Sequence, residues 1–147
     1  MAVNPTAFRD AEATNDSDRS ARIFKDFNLN FARHPVTGDI AKLTDVSAVK
    51  ASVKNLILTN FYERPFHPEI GSDVRAALFE LVTPQVAARL GRNIEDVIVN
   101  FEPRAELISV IVRANIDRNA YEATIKFNVV NTETDEQTLD LFLERLR

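Results

Sequence analysis

Two carboxyl groups held about 5–10 Å apart are enough to hydrolyse a glycosidic bond. Four glutamates, Glu63, Glu69, Glu102 and Glu106, fall in or beside segments that prolines and turn residues mark as loops. The pair is a weak signal, because among 22 acidic residues in a chain of 147 some two will always lie close. Two of the four also have an arginine nearby, Arg64 after Glu63 and Arg104 after Glu102 and Pro103. A neighbouring guanidinium lowers a carboxyl pKa, the wrong direction for a general acid. His34 and His67 each precede a proline in turn-like sequence, and neither has a second ligand at metal-binding spacing. With three glycines no phosphate-cradling loop can be built, and with no cysteine there is no disulfide, thiol nucleophile or thiolate site. No serine stands in a nucleophile-elbow context. No catalytic residue, cofactor or metal is assigned.

The other candidate is Arg104, in Phe101-Glu102-Pro103-Arg104. Proline fixes φ near −65° and pushes the residue before it out of the helical region. The quartet therefore makes a stiff corner that holds an acid and a guanidinium together. Two readings stay open. Arg104 forks onto Glu102 or another carboxylate of the chain, which suits its planar donors; or it is presented to a partner, since arginine is favoured at interface hot spots.

The elements that must position this corner follow from periodicity. Phe27, Leu29 and Phe31 alternate with polar residues, which predicts a half-buried strand or extended segment over 23–31. His34-Pro35-Val36-Thr37-Gly38-Asp39 is turn chemistry. Val46, Val49, Val53, Leu56 and Ile57 form one face of a helix capped by Thr44 or Asp45 and running to about Asn60. Arg64, Pro65, Phe66, Pro68 and Gly71 belong to an irregular structural loop, expected to pack Phe61, Phe66 and Ile70 on the core. Ser72 is expected to cap a short helix with inner face Val74, Ala77, Leu78 and Leu81. Thr83 and Pro84 start a helix with stripe Val86, Leu90, Ile94, Val97 and Ile98, where Gly91 predicts a kink or break. After the corner the period becomes two. Ile108, Val110, Val112, Ala114 and Ile116 share one face, Tyr121 to Val129 alternate after a turn at 117–120, and Asn131 to Gln137 is a polar turn. Leu139, Leu141 and Leu143 mark a last strand and a candidate edge: its free backbone groups could accept another strand, or Asp140, Glu144, Arg145 and Arg147 are charges that discourage pairing, which is the better reading for a lone protein. The fold class is α+β: an antiparallel three- to four-stranded sheet on about three helices, one domain over 21–147, with a loose polar arm over 1–20.

Composition narrows the partners. A formal charge of −4 argues against nucleic acid, which needs a basic face. No apolar run approaches the roughly 20 residues that span a bilayer, and the polar first 20 residues lack a secretory signal's apolar stretch. The expectation is a soluble protein made in a cytoplasm, with neither nucleic acid nor membrane as partner.

Asp26-Phe27-Asn28-Leu29, His34-Pro35-x-Thr37-Gly38-Asp39-Ile40, Ala48-Val49 with Asn55-Leu56-Ile57-Leu58-Thr59, Glu63-Arg64-Pro65-Phe66-x-Pro68-Glu69-Ile70-Gly71-Ser72, Leu78-Phe79-Glu80 and Glu102-Pro103-Arg104 occur in that order. Together, over about residues 22–147, they resemble the baseplate wedge, or sheath initiator, family of contractile-tailed phages, which also serves type VI secretion and contractile tail-like particles. The resemblance implies a structural subunit of the virion's tail baseplate, made in the host cytoplasm, and not an enzyme. It implies that Glu102, Pro103 and Arg104 dock on a helical core bundle of larger wedge proteins. It further implies that Leu139, Asp140, Leu141, Phe142 and Leu143 template the tail sheath protein by strand augmentation, with tail-tube or hub proteins as further neighbours. Two expectations follow from it. Arg104→Ala should leave the melting temperature nearly unchanged while blocking incorporation, and removal of 139–147 should block the sheath alone. The alternative function is a small muralytic, lysozyme-like hydrolase of the tail.

Overall fold

The computed structural model describes residues 24–35, 38–130 and 136–145. The arm expected over 1–20 and most of the polar turn at 131–137 therefore lie outside the described residues. The elements in order are β1 (Lys25–Phe27), β2 (Lys42–Thr44), α1 (Asp45–Leu58), α2 (Val74–Ala77), α3 (Pro84–Phe101), β3 (Ala105–Asn115), β4 (Ala120–Val129) and β5 (Gln137–Glu144). This is the expected α+β class. β3, β4 and β5 form an antiparallel sheet in that order, and β1 pairs with β2 in a separate antiparallel hairpin.

β4 is the central strand, and its period-two pattern decides where the core lies. Tyr121, Ala123, Ile125, Phe127 and Val129 are all buried, against Val49, Val53 and Ile57 of α1 and Leu90, Ile94 and Ile98 of α3. Leu141 and Leu143 of β5 join them, so the last strand contributes to the core as well as to the edge. Burying aliphatic and aromatic side chains of this size stabilises by roughly 1.5–3 kcal/mol each.

α3 begins as its sequence dictates: Thr83 Oγ1 accepts from Val86 N at 3.3 Å, and Pro84 occupies the first turn, where its missing N–H costs nothing. The break expected at Gly91 is absent among the described residues: α3 is continuous over 18 residues. The stripe that Gly91 interrupts is buried on both sides of it, so packing offsets the roughly 1 kcal/mol that glycine costs in a helix. A Cβ at Gly91 would meet only Val112 Cγ2, at an ordinary 3.7 Å, so close approach does not require the glycine.

Four other expectations are corrected. Of the expected 23–31 segment, whose first residue lies outside the described residues, only Lys25–Phe27 is strand, and Phe27, Leu29 and Phe31 are not half-buried but 62%, 58% and 71% exposed. A hairpin of three-residue strands beside α1 has no second layer to cover its outer face. Ser72 is not the cap of α2, where Asp73 takes that place. Ser72 is buried instead, donating Oγ–H to Ile57 O at 2.5 Å, and Leu81 is exposed because α2 ends at Ala77. In β3 a bulge between Leu107 and Ser109 puts one extra residue, Ile108, on the strand. The bulge reverses which parity faces inward, so Leu107 packs on the core with Val110, Val112 and Ala114 while Ile108 is exposed. Ile116, in the turn, is exposed as well.

The loop over 61–70 gives the fourth correction. It was expected to pack on the core, yet Phe61 is 42% exposed, Tyr62 86% and Phe66 95%. Its order comes from hydrogen bonds: Tyr62 N to Pro68 O, Ile70 N to His67 O, and Asn60 N to Glu63 Oε2. Tyr62 and Phe66 hold φ of 65° and 69°, a region bulky residues seldom occupy. The base of the loop is closed by Gly71, whose backbone lies so near Asn60 that a Cβ would stand 2.6 Å from its carbonyl carbon.

Candidate functional site

α3 ends where proline forces it to. Glu102 is its C-cap, with φ −126° and ψ 76°, and its N–H still donates to Ile98 O at 2.9 Å. That extended ψ is what a following proline imposes. Glu102 O then accepts from Ala105 N at 3.1 Å, closing a turn through Pro103 and Arg104 into β3. Arg104 O accepts from Val130 N at 3.0 Å, which ties the corner to the end of β4.

The side chains settle the first of the two readings left open above. Arg104 Nε donates to Glu102 Oε1 at 2.6 Å and Nη2 donates to Oε2 at 2.8 Å, a bidentate fork across one proline. Ser52 Oγ, from the middle of α1, also donates to Glu102 Oε2. Glu102 is 4% exposed, whereas the Arg104 side chain keeps 30% of its surface. The intramolecular ion pair is thus present, and the carboxylate belongs to the interior. Burial pushes the Glu102 pKa up, but the bonds from Arg104 and Ser52 outweigh it and hold the carboxyl below its usual range. The bond to Glu102 raises Arg104 further, and Asp26 adds to it.

The ring of Phe24 lies 5.7 Å from Arg104 Cζ, at cation–π distance. Phe24 O accepts from Asp45 N at 2.7 Å, so the residue that flanks the guanidinium also fastens the hairpin to the start of α1. Ser52 and Phe24 were missed in the sequence. Ser52 carried a signal, a hydroxyl beside the buried Val49–Val53 stripe, where an unpaired polar group would be costly. Phe24 carried none.

The remaining candidates are not brought together with the corner. Arg64, Pro65, Phe66 and Pro68 stand on the exposed loop, with Gly71 buried at its base. Leu139, Asp140, Leu141, Phe142 and Leu143 lie on β5, with Leu141 and Leu143 inward and Asp140 and Phe142 outward. Thr124 Oγ1 donates to Asp140 Oδ1 at 2.8 Å across the ladder. β5 pairs with β4 on one side, and its other edge has no strand partner among the described residues.

Three of the four glutamates weighed for hydrolysis are engaged locally: Glu63 with Asn60, Glu69 with His67, Glu102 with Arg104 and Ser52. A backbone hydrogen bond and the His67 contact hold Glu69 below its usual range, and Glu102 is lowered too. Neither is poised as a general acid. Among the described residues no His, Cys, Asp or Glu cluster could hold a metal ion, and no helix is long and apolar enough to cross a membrane.

Residues 44–135 match the family model described as baseplate wedge protein gp25. Baseplate wedge protein gp25 of Enterobacteria phage T4 is 33% identical over 105 residues, 71% of this chain and 80% of that protein. A chain in the baseplate of the anti-feeding prophage superposes with a TM-score of 0.65 at 26% identity, over 76% of this chain and 89% of that one. One from the type VI secretion system baseplate complex gives 0.53 at 17%, over 66% and 92%. A Geobacter sulfurreducens protein described as a tail lysozyme gives 0.59 at 19%, over 67% and 89%. At 17% and 19% identity the last two speak for the fold alone. The family model and the T4 relative together place the chain in the baseplate wedge protein gp25 family.

Proposed function

We propose that the chain is a structural subunit of a contractile-tail baseplate, held in the wedge by its Glu102–Pro103–Arg104 corner and offering the open edge of β5 to the first sheath subunits. The observation that carries this reading is that open edge, in a chain of this family, on a strand whose inward leucines are fixed in the core. Unpaired N–H and C=O groups along a rigid strand are a template for strand addition. The corner suits docking in a specific way. Glu102 is an internal clamp rather than a contact, and Arg104 is the part a partner can touch. Its fork uses Nε and Nη2, which leaves Nη1 for a carboxylate or a helix C-terminus. A guanidinium already locked loses less entropy on docking.

The partners of this reading are the helical bundle of larger wedge proteins at the corner and the sheath protein at β5, with tail-tube or hub proteins close by. The place is the tail baseplate of a virion assembled in the host cytoplasm. The muralytic alternative gains nothing from Glu63, Glu69 and Glu102, which are engaged locally, the buried Glu102 being held below its usual range.

Deleting 139–147 is not a clean test, because it would remove Leu141 and Leu143 from the core. A better variant carries a C-terminal extension that folds back as a fourth strand on β5 and covers its edge. In particles that depend on this chain, the covered variant is expected to give baseplates without sheath under the electron microscope. Sheaths of normal length on such baseplates would remove the augmentation role, and clearing of peptidoglycan by the purified chain would favour the hydrolase.

A further inference from the structure

We infer that the outer face of the β1–β2 hairpin is a second docking surface, built for an acidic amphipathic helix of a neighbouring protein. The inference rests on the baseplate reading for its setting, but on the hairpin's own chemistry for its partner.

In the hairpin register Phe27 stands directly opposite Lys42, and Lys25 lies two residues before Phe27 on the same strand. All three are exposed and share one face, while Asp26 and Leu43 take the other. They line a shallow cleft with Asp26 at its side. Phe27 is 62% exposed, in a position where a soluble hairpin would ordinarily place a polar residue. Neither lysine has a carboxylate partner among the described residues. The one acid at the cleft is already used: Asp26 Oδ1 accepts from Phe27 N at 2.8 Å, and its charge supports Arg104.

A cationic face around a bare aromatic ring, on a chain of net charge −4, selects for carboxylates with an apolar anchor between them. Spacing selects the helix. Directly opposed strand residues stand about 4.5–5.5 Å apart, and side chains one turn apart on a helix stand about 5–6 Å apart. Lys42 lies across the hairpin from Phe27 and Lys25 lies along the strand, roughly 7 Å away at two residues' rise, so a helix with an apolar side chain over Phe27 brings acids one turn away within reach of both long lysine side chains. A strand would instead be drawn to a sheet edge, where its backbone is satisfied. The surface is also preorganised. Phe24 joins it to Arg104 on one side and to Asp45 on the other, so the hairpin is set at a fixed position beside the corner. Lys25 and Lys42 lie outside both the residues matched by the family model, 44–135, and the motifs that carry the resemblance, whereas Phe27 stands in one of those motifs.

The test uses particles assembled without the chain and then supplied with full-length purified variants, with occupancy read by quantitative immunoblot of washed particles. Lys25→Glu with Lys42→Glu, and separately Phe27→Ser, are expected to lower occupancy at least tenfold with the thermal melt unchanged. Lys25→Arg with Lys42→Arg should retain it, and raising salt should weaken the wild type more than Lys25→Gln with Lys42→Gln. Wild-type occupancy by the charge-reversed variant overturns the proposal. So does a dimer of the free chain, seen by sedimentation and abolished by Phe27→Ser, which would make a second copy the occupant. The corner is read apart from the hairpin. Loss in the lysine variants with normal occupancy by a folded Arg104→Ala sinks the corner's docking and keeps this surface, and the reverse pattern sinks this surface. Failure of the wild-type chain to enter particles at all takes down the baseplate reading, and this inference with it.

Discussion

Arg104 grips Glu102 through two parallel hydrogen bonds, 2.6 and 2.8 Å long, across a single proline. The carboxylate is almost wholly buried, and the guanidinium is not. This asymmetry governs how the corner responds to pH and to substitution.

Acid should loosen the corner first. The Glu102 carboxyl is held below its ordinary value in the folded chain, so between the folded and unfolded pKa the unfolded chain binds more protons. Its contribution is fully present above about pH 4.5, the unfolded carboxyl range, and is lost as pH falls through the folded value. Thermal melts over that window should fall faster for the wild type than for Glu102→Gln, with the two curves converging in acid. Parallel curves would mean that the corner carboxylate is not linked to folding.

Arg104→Ala should cost stability, contrary to what the resemblance alone suggested. Removing the guanidinium leaves a buried carboxylate with Ser52 as its remaining side-chain partner. An under-satisfied buried charge costs about 1–3 kcal/mol, or a fall in Tm of roughly 3–10 °C for a domain of this size. Differential scanning calorimetry checks it. The double variant Glu102→Gln with Arg104→Ala should recover part of the loss, since the stranded charge is gone.

Gly71→Ala should be among the most damaging single-methyl additions in the chain. The new Cβ would sit 2.6 Å from the carbonyl carbon and oxygen of Asn60 and 2.7 Å from Phe61 N, all backbone atoms that cannot swing aside. Separating them means breaking the Ser72 N to Thr59 O bond of 2.8 Å or shifting the end of α1. Urea denaturation should show a loss of about 2 kcal/mol or more. Gly91→Ala, with ordinary space around it, should be neutral or stabilising by up to about 1 kcal/mol.

Tyr121→Phe isolates a third relationship. The Tyr121 hydroxyl accepts from Thr83 N and donates to Leu81 O, both at 3.3 Å, and so fastens the start of α3 to the central strand. Its ring is fully buried, so phenylalanine keeps the packing and loses the two bonds. The expected cost is about 1 kcal/mol, with amide exchange quickening at Thr83 and Val86 before it does elsewhere in α3.

What the sequence made legible were the long elements. Val86 to Ile98 and Tyr121 to Val129 each bury a single periodic face, so one dominant force placed them and their residues announced it. The corner was legible as a stiff junction because proline acts locally. Its Ser52 partner was not, because that contact joins residues 50 apart in the chain. Ile108 misled for a different reason: a bulge is one extra residue, invisible to a period-two pattern that continues on either side of it. The 61–70 loop misled because aromatic residues were taken to seek the core. Tyr62 and Phe66 are instead turned outward by a backbone that hydrogen bonds and Gly71 hold in place. Periodicity reports what water drives inward, and it is silent about what a loop's hydrogen bonds hold outward.

The bond from Ser52 to Glu102 has one more consequence. Its two residues come from α1 and the C-cap of α3, so the carboxylate that holds Arg104 gains its third side-chain hydrogen bond only when both elements are docked. A nascent or misfolded chain therefore has the right letters at 102–104 but not the right shape. Any assembly line that recognises this corner inspects the finished part, and rejects unfinished ones without needing a separate inspector.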